Sequence, residues 1–440
     1  MKRDPGALEG REHDVLVVGG GIAGAWVARE AASRGLSVAL VELEDFGQAT
    51  SWSSLKTAHG GLRHLQRLDV AGFRESVRER RALLRVAPEI VRPLTFAIGA
   101  PGALVETKFF LGGVLNDILS YDRNQGVRDD RVIGTTRLLD RAQAASLGGP
   151  ALAGAPAFAW QDAQITHTER LVMGLLHAAT AGPAVVINRC RLDSSVSTAR
   201  GFDVRATDLV GGRGIALRAR SIVNAAGAQL EGVSRLFAES CGSPPLIRGV
   251  NAVLGRDFTP EVAVGARDRG RFLFLVPWLG RSMMGTIYDD GRGPVEDLVA
   301  GLMDAGRRAF PWAQIRDDDV LVVHAGHVPG APNGEPIYRS RLIRHADPRI
   351  LSILTAKYTT ARATAEAAVD QIGRVLAKPL SPSVSAQEEL PMARPLPGTL
   401  AERIRQAEDT EMSNGPAEAI RGRLTEGAYG AGVDSRGAGA

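Results

Sequence analysis

The apolar positions near the start of the chain fall in short unbroken runs, not in alternation. Asp14-Val15-Leu16-Val17-Val18 is a run of the kind found in a strand buried on both faces. Gly19-Gly20-Gly21-Ile22-Ala23-Gly24 follows, then Ala25 to Ser33 with a helical pattern that Gly35 ends. Leu36 to Val41 is a second apolar strand, closing on Glu42. Val70 to Ala87 and Thr166 to Ala181 predict helices. In the first of these, Arg74, Arg78, Arg81 and Arg85 recur at helical spacing and read as a solvated face shared with Glu75 and Glu79. Ser221 to Ala225 is a short strand ending in the small-residue turn Ala226-Gly227-Ala228. Residues 246–290 alternate and turn like a meander, with strands at Arg271 to Trp278 and Arg281 to Ile287. Val320 to Val323 predicts a strand leading into His324–Pro329. Ile350 to Leu354 predicts another, followed by Thr355–Thr360 and a helix over Ala361–Ala377.

Strands alternating with helices at both ends, and a meander between them, predict an α/β architecture with a discontinuous domain. A Rossmann-like nucleotide domain is assembled from residues 13–95, 150–245 and 335–378. An antiparallel β-sheet substrate domain (α+β) is inserted as 96–149 and 246–334. Residues 379–440 form a short C-terminal extension, helical around Pro397–Ala407 and Ala417–Glu426 and frayed from Gly427 onward.

The first strand, turn, helix, second strand and terminal acid carry a specific chemistry. In G-x-G-x-x-G, Gly19 permits the tight turn, Gly21 lets the backbone approach a pyrophosphate and Gly24 lets helix and strand pack closely. The helix N-terminus turns unpaired N–H groups and a positive dipole end toward the phosphates. Glu42 is placed to accept hydrogen bonds from an adenosine ribose, which favours a free 2′-hydroxyl and disfavours NADP. NAD and FAD both satisfy this unit. The turn at Ala226-Gly227 reads either as an ordinary strand end or as a second approach to the same nucleotide.

Composition narrows the field. The 440 residues are 44% hydrophobic and 23% charged with net charge +4, ordinary for a globular enzyme and without a Lys/Arg block, so nucleic acid is not the expected partner. Glycine reaches 51, clustered at the ends of apolar runs, as when backbone approaches a ligand. The two cysteines, Cys190 and Cys241, are far apart, which excludes a thiolate metal site and predicts buried free thiols. No run approaches the ~18 apolar residues of a membrane span, and the N-terminus has no apolar leader, so the expected location is cytoplasmic, with contact at the inner membrane face left open.

Between the two nucleotide-binding turns lies a hydroxyl-rich and basic stretch, Thr50-Ser51-Trp52-Ser53-Ser54-Leu55-Lys56, then His59-Gly60-Gly61-Leu62-Arg63-His64. Arg63 follows a Gly-Gly turn and reads two ways, as a packing cation or as a side chain held over a ligand. His324 and His327 are three apart, which on a strand puts them on opposite faces and argues against a metal pair.

These residues resemble a known family. DVLVVGGGIAGAWVAREAASRGLSVALVE followed by TSWSSLKTAHGGLRHL is similar to the FAD-dependent glycerol-3-phosphate dehydrogenases, within the broader D-amino-acid-oxidase-like flavoproteins. RESVRERRALLRVAPEIVRPLTF, LNDILSYDRNQG, WQDAQITHTERL, SIVNAAGA and AKYTTARATAEAAVD extend the likeness over about residues 13–375. The resemblance implies extended FAD, with its adenosine on Gly19, Gly21, Gly24 and Glu42. Ser51, Ser54, Lys56, His59, Gly60 and Gly61 would line the pyrophosphate-to-flavin stretch. Ala226 and Gly227 would supply the second FAD turn, and Lys357, Thr359 and Thr360 would lie beside the isoalloxazine. Arg63 matches the family's substrate-facing arginine and Arg339 the arginine of its late phosphate-binding loop. Three positions depart from the pattern. His64 stands for a tyrosine, Asn251 for a histidine in the substrate-domain strand, and Val328 for the arginine of a G-x-R-P segment.

The expected reaction is hydride transfer to FAD from a secondary alcohol, glycerol 3-phosphate or a related anionic polyol, with Arg63, His64, Asn251, His327 and Arg339 at the substrate end. His327 and His64 are the imidazoles available as base where Asn251 cannot serve. The electrons would pass to a quinone or to oxygen. Two other readings use the same fold: an amine or amino-acid oxidase holding a carboxylate on Arg63 or Arg339, and a flavin-binding protein with a degenerate catalytic site.

Overall fold

The computed structural model describes residues 2–391 apart from Gln66, Ala238, Glu239 and Ala356. The helices expected at 397–407 and 417–426 and the tail from Gly427 lie outside the described residues. Two sheets organise the rest. In the first, the strand Glu12–Val18 runs parallel between Val38–Val41 and Arg213–Asn224, and the latter runs parallel to Ile350–Leu354. The register pairs Val15 with Ser221 and Val18 with Asn224, so the turns after both strands emerge at one carboxyl edge. The Ala226-Gly227 turn therefore does return to the first sheet.

Helices Ile22–Ser33, Thr168–Thr180 and Ala361–Val375 cover one face of this sheet. The first buries every residue except Ser33, as its run of alanines, Val27 and Trp26 allows. Each fully buried Val or Leu on such a face contributes roughly 1.5–3 kcal/mol over its exposed state. The other face is closed by the hairpin strands Cys190–Thr198 and Gly201–Asp208.

The second sheet has nine strands. Val262–Asp268, Arg271–Trp278 and Arg281–Asp289 form the meander read from sequence, but Leu246–Leu254 pairs with Arg281–Asp289 and with Val320–Pro329, not with its successor. The strand expected to stop at Val323 continues to Pro329, because its partner Leu246–Leu254 supplies ladder bonds along its whole length. Sheet membership also cuts across the boundaries expected from sequence. Thr57–Ala58, Val91–Gly99 and Ala157–Ile165 all pair within the second sheet, although most of these residues lie inside the 13–95 and 150–245 segments that the sequence assigns to the nucleotide domain.

The arginine face of helix Val70–Val86 is not simply solvated. Arg74 and Arg81 both bond Asp122, at 2.7 and 2.8 Å. Glu79 is buried and takes a two-pronged grip from Arg362, at 2.6 and 2.8 Å. That pair ties the start of helix Ala361–Val375 to helix Val70–Val86. Cys190 and Cys241 are buried and free, and burial pushes the Cys190 thiol up to about 11.

Candidate active site

The first half of the site is made of backbone. Gly19 has φ +107°, and a Cβ on it would sit 2.7 Å from the Ala225 carbonyl oxygen, so the two strand-end turns touch back to back. A Cβ on Gly24 would collide with the Gly19 carbonyl. Gly21 caps helix Ile22–Ser33 without a side-chain bond, and the Ser51 hydroxyl accepts from the Ile22 N–H at 3.0 Å. The Glu42 carboxylate accepts from the Gly20 N–H at 2.6 Å and the Glu44 N–H at 2.8 Å, while burial pushes its pKa upward against those two bonds. Together, two glycine-lined turns, an open helix N-terminus and an acid at the end of the second strand fit the diphosphate and ribose of an extended dinucleotide.

From Ser51 the chain passes between the two sheets. The Thr50 hydroxyl donates to the His327 carbonyl, and Thr57–Ala58 pairs with the strand Ala157–Ile165. Lys56 turns its ammonium inward, where it donates to the Trp52 carbonyl and the Thr168 hydroxyl at 2.8 and 2.7 Å. Its buried charge joins the loop to helix Thr168–Thr180, while its carbonyl accepts from the Ile165 N–H at 2.8 Å.

The His59-Gly60-Gly61 turn is fixed by Asp162, the acid ahead of the helix at Thr166, to which the sequence alone assigns no role in the site. Asp162 accepts from the Gly60 N–H at 2.6 Å, from Arg80 at 2.5 Å and from His59 Nδ1 at 3.1 Å. Burial alone would raise this carboxyl; the His59 hydrogen bond and the Arg80 charge outweigh it and hold the group below the usual range. The half-exposed His59 ring and the positive-φ Gly61 are thereby set in one geometry.

Beyond that turn the site changes character and becomes a cluster of side chains from three segments. The exposed Arg63 donates to the Tyr338 hydroxyl. The Tyr338 ring has Arg63 at 5.1 Å, Arg67 at 4.8 Å and Lys357 at 5.6 Å from its centroid. His64 is buried, with Nδ1 2.8 Å from Asp69 Oδ2 and Nε2 2.7 Å from Lys357 Nζ. Asp69 also accepts from Arg339 and from the Gly72 N–H, capping helix Val70–Val86. The Arg339 hydrogen bond holds the Asp69 carboxyl well below the ordinary range. Burial, with Arg63 next in weight, lowers the Lys357 amine to about 8. Burial and then Lys357 lower His64, against the opposing effect of Asp69. Thr359 and Thr360 are buried at the start of helix Ala361–Val375, whose N-terminal end carries no side-chain cap.

Arg63, His64, Arg339 and Lys357 are thus brought together, with Thr359 and Thr360 close behind Lys357 in the chain. Asn251 and His327 are not part of that cluster. Asn251 lies on the second sheet, its Oδ1 taking the Thr286 hydroxyl at 2.6 Å and its Nδ2 reaching the Ser53 carbonyl at 3.4 Å. His327 is exposed and lies on the face of strand Val320–Pro329 opposite to His324, which pairs directly with Asn251. Alternation thus sets His327 away from Asn251 and His324, and no hydrogen bond or ion pair among the described residues joins it to Arg63 or Arg339. Val328 lies on the His324 face. Tyr338, Asp69 and Arg67 were missed. Only Asp69 had a signal, as an acid just before a helix.

A family model described as FAD dependent oxidoreductase matches residues 14–371. The chain is 27% identical over 429 residues to a glycerol-3-phosphate dehydrogenase of Synechocystis, covering 89% of this chain and 76% of that protein. It is 30% identical over 389 residues to the mitochondrial glycerol-3-phosphate dehydrogenase of Arabidopsis thaliana, covering 81% of this chain and 60% of that one. Among solved structures, the glycerol-3-phosphate dehydrogenase of Bacillus halodurans complexed with FAD superposes with a TM-score of 0.67 at 23% identity, over 95% of this chain and 76% of that one.

Proposed function

The chain belongs to the family of FAD dependent oxidoreductases, and we propose that it oxidises glycerol 3-phosphate, or an anionic polyol close to it, at a secondary hydroxyl. The observation that carries this reading is the cluster of Arg63, Arg67 and Lys357 around Tyr338, with Arg339 beside it on Asp69. Guanidinium groups engage two phosphate oxygens at once, and the exposed Arg63, whose described side-chain hydrogen bond goes to the Tyr338 hydroxyl and not to a carboxylate, would do so. The likeness to glycerol-3-phosphate dehydrogenases supports the same substrate class.

When bound, FAD supplies the two-electron acceptor for the hydride of the substrate C–H bond. Gly19, Gly21, Gly24 and Glu42 would hold its adenosine and diphosphate; Ser51, Ser54, His59, Gly60 and Gly61, with the Lys56 backbone, its middle; and Ala226 and Gly227 its second turn. Thr359 and Thr360 would present a helix N-terminus to its ring, and Lys357 a cation, both suited to the negative charge a reduced flavin carries. Arg63 would orient the phosphate.

The electrons would leave to a quinone or to oxygen. No helix among the described residues is long and apolar enough to cross a membrane. Contact with the inner membrane face is supported by helix Ala103–Leu119, which exposes Leu104, Phe110, Leu111, Leu115 and Ile118. Flavin reduction against a panel of polyol phosphates, hydroxy acids and amines tests the substrate. Rapid bleaching by glycerol 3-phosphate supports the reading. Bleaching by amines alone would replace it with the oxidase reading, and bleaching by none would leave a flavin-binding protein.

A further inference from the structure

Oxidising an alcohol removes a hydride from carbon and a proton from oxygen, and the proton needs a base. The second sheet supplies none at Asn251, whose amide oxygen and nitrogen are both engaged and whose nitrogen has no basic lone pair. Its neighbour His324 is 1% exposed and packed on Trp52 at 4.3 Å. His327 points from the opposite face of the strand.

On the other side of the site, three groups from two segments of the chain meet in sequence. Asp69 is pinned by Arg339 and by the Gly72 N–H. A carboxylate held this way only accepts, so His64 Nδ1 carries the hydrogen of the 2.8 Å contact. Nε2 is then left with its lone pair, facing the Lys357 ammonium at 2.7 Å. The imidazole tautomer is fixed from both ends.

We propose that Asp69, His64 and Lys357 form a proton relay that takes the substrate's hydroxyl proton in place of a base on the second sheet. The proposal rests on the alcohol-oxidising reading above. Lys357 passes one proton to Nε2 of His64, and the imidazolium is held by the Asp69 carboxylate. The freed amine takes the hydroxyl proton. The O–H electron pair becomes the carbonyl π bond as the C–H pair leaves as hydride to FAD. Asp69 is a positioning residue here, acting through His64. The charged groups facing the relay are Arg63, Arg339, Glu75 and Asp162, besides its own members.

Two measurements test it. Nitrogen-15 NMR of the histidine rings reads the resting protein without any substrate, with the His64 signal identified by its loss in His64→Gln. At pH 7 the relay requires a neutral ring with Nδ1 protonated and Nε2 bare, and loss of that tautomer preference in Asp69→Asn. An imidazolium or an Nε2-protonated ring overturns the relay even in a protein that ignores glycerol 3-phosphate.

The second measurement is single-turnover flavin reduction by glycerol 3-phosphate across pH. His64→Gln should slow it about a hundredfold with KM little changed. Asp69→Asn should slow it less and move the acid limb to lower pH, because the carboxylate that raises His64's proton affinity is gone. A wild type that reduces its flavin while both variants keep its rate and profile overturns the relay and leaves the substrate reading intact. A wild type that reduces nothing overturns the substrate reading instead, and the NMR result then decides the relay.

Discussion

The adenosine end and the substrate end of this site are built from different materials. At the proposed adenosine end the material is backbone. Gly19, Gly21 and Gly24 clear the space, two strand ends converge, and an open helix N-terminus would face a diphosphate. At the proposed substrate end the material is side chains, Arg63, His64, Arg67, Asp69, Tyr338, Arg339 and Lys357, held by ion pairs and a shared aromatic ring. A backbone cradle fails outright when a Cβ enters it. A side-chain cluster can be retuned one residue at a time, and the chain's three departures from its family's pattern, His64, Asn251 and Val328, all lie at that end or on the sheet facing it.

The largest expected effect breaks the first region. Gly24→Val places carbon on the Gly19 carbonyl, so the purified variant should be colourless, with a lower melting temperature. A yellow, FAD-replete Gly24→Val protein would show that helix and strand do not pack as described. At the other end, Arg63→Ala should leave FAD in place while kcat/KM for an anionic substrate falls by at least tenfold, within the about 2–5 kcal/mol typical of breaking a close charge pair. An unaltered kcat/KM would move the anion site elsewhere.

A third contrast concerns stability. Burial, then the Lys56 charge, holds His324 down to about 4, so the folded protein keeps it neutral where the unfolded chain protonates it. Unfolding therefore takes up a proton between about pH 6.5 and 4. The stability is present in full above that window and is lost as pH falls through it, by a total on the order of 3 kcal/mol. Denaturant midpoints at pH 7.5 and 5 should converge in His324→Gln relative to wild type. Equal pH sensitivity in both proteins would rule His324 out as the source.

Two smaller effects sharpen the picture. Lys357→Met should lower the flavin reduction potential on the order of 30 mV, equivalent to about 1.4 kcal/mol for two electrons, since a reduced ring would lose a cationic neighbour. A potential equal to wild type places Lys357 away from the ring. Phe110→Asp with Leu111→Asp should weaken sedimentation with anionic vesicles while leaving flavin reduction in solution unchanged. Vesicle binding equal to wild type would assign that apolar face to something other than lipid.

How much was legible follows the same division. The glycine fingerprint and the strand at Ser221 to Ala225 could be read because local conformation and burial dictate them residue by residue, whereas the return of that strand to the first sheet stayed one of two open readings until the parallel register with Glu12–Val18 decided it. The Asp69–His64–Lys357 line could not, because His64 and Lys357 are 293 positions apart and spacing carries no record of which loops converge. Arg74 and Arg81 misled for a related reason. Helical spacing makes them look solvated, and only the fold brings Asp122 beneath them. Helix Ala103–Leu119 escaped notice because its apolar residues face outward, so its pattern marks no core face. Asp69 itself was readable as a helix cap, though not as the group that orients His64.

The central claim is that this flavoprotein recognises an alcohol by its phosphate. Mixing the anaerobic, FAD-loaded protein with glycerol 3-phosphate, and separately with glycerol, tests it most directly through the flavin's visible absorbance. The account predicts bleaching by glycerol 3-phosphate that saturates with concentration, and none by glycerol at the same concentrations. Equal bleaching by the two alcohols, or none by glycerol 3-phosphate, would contradict it.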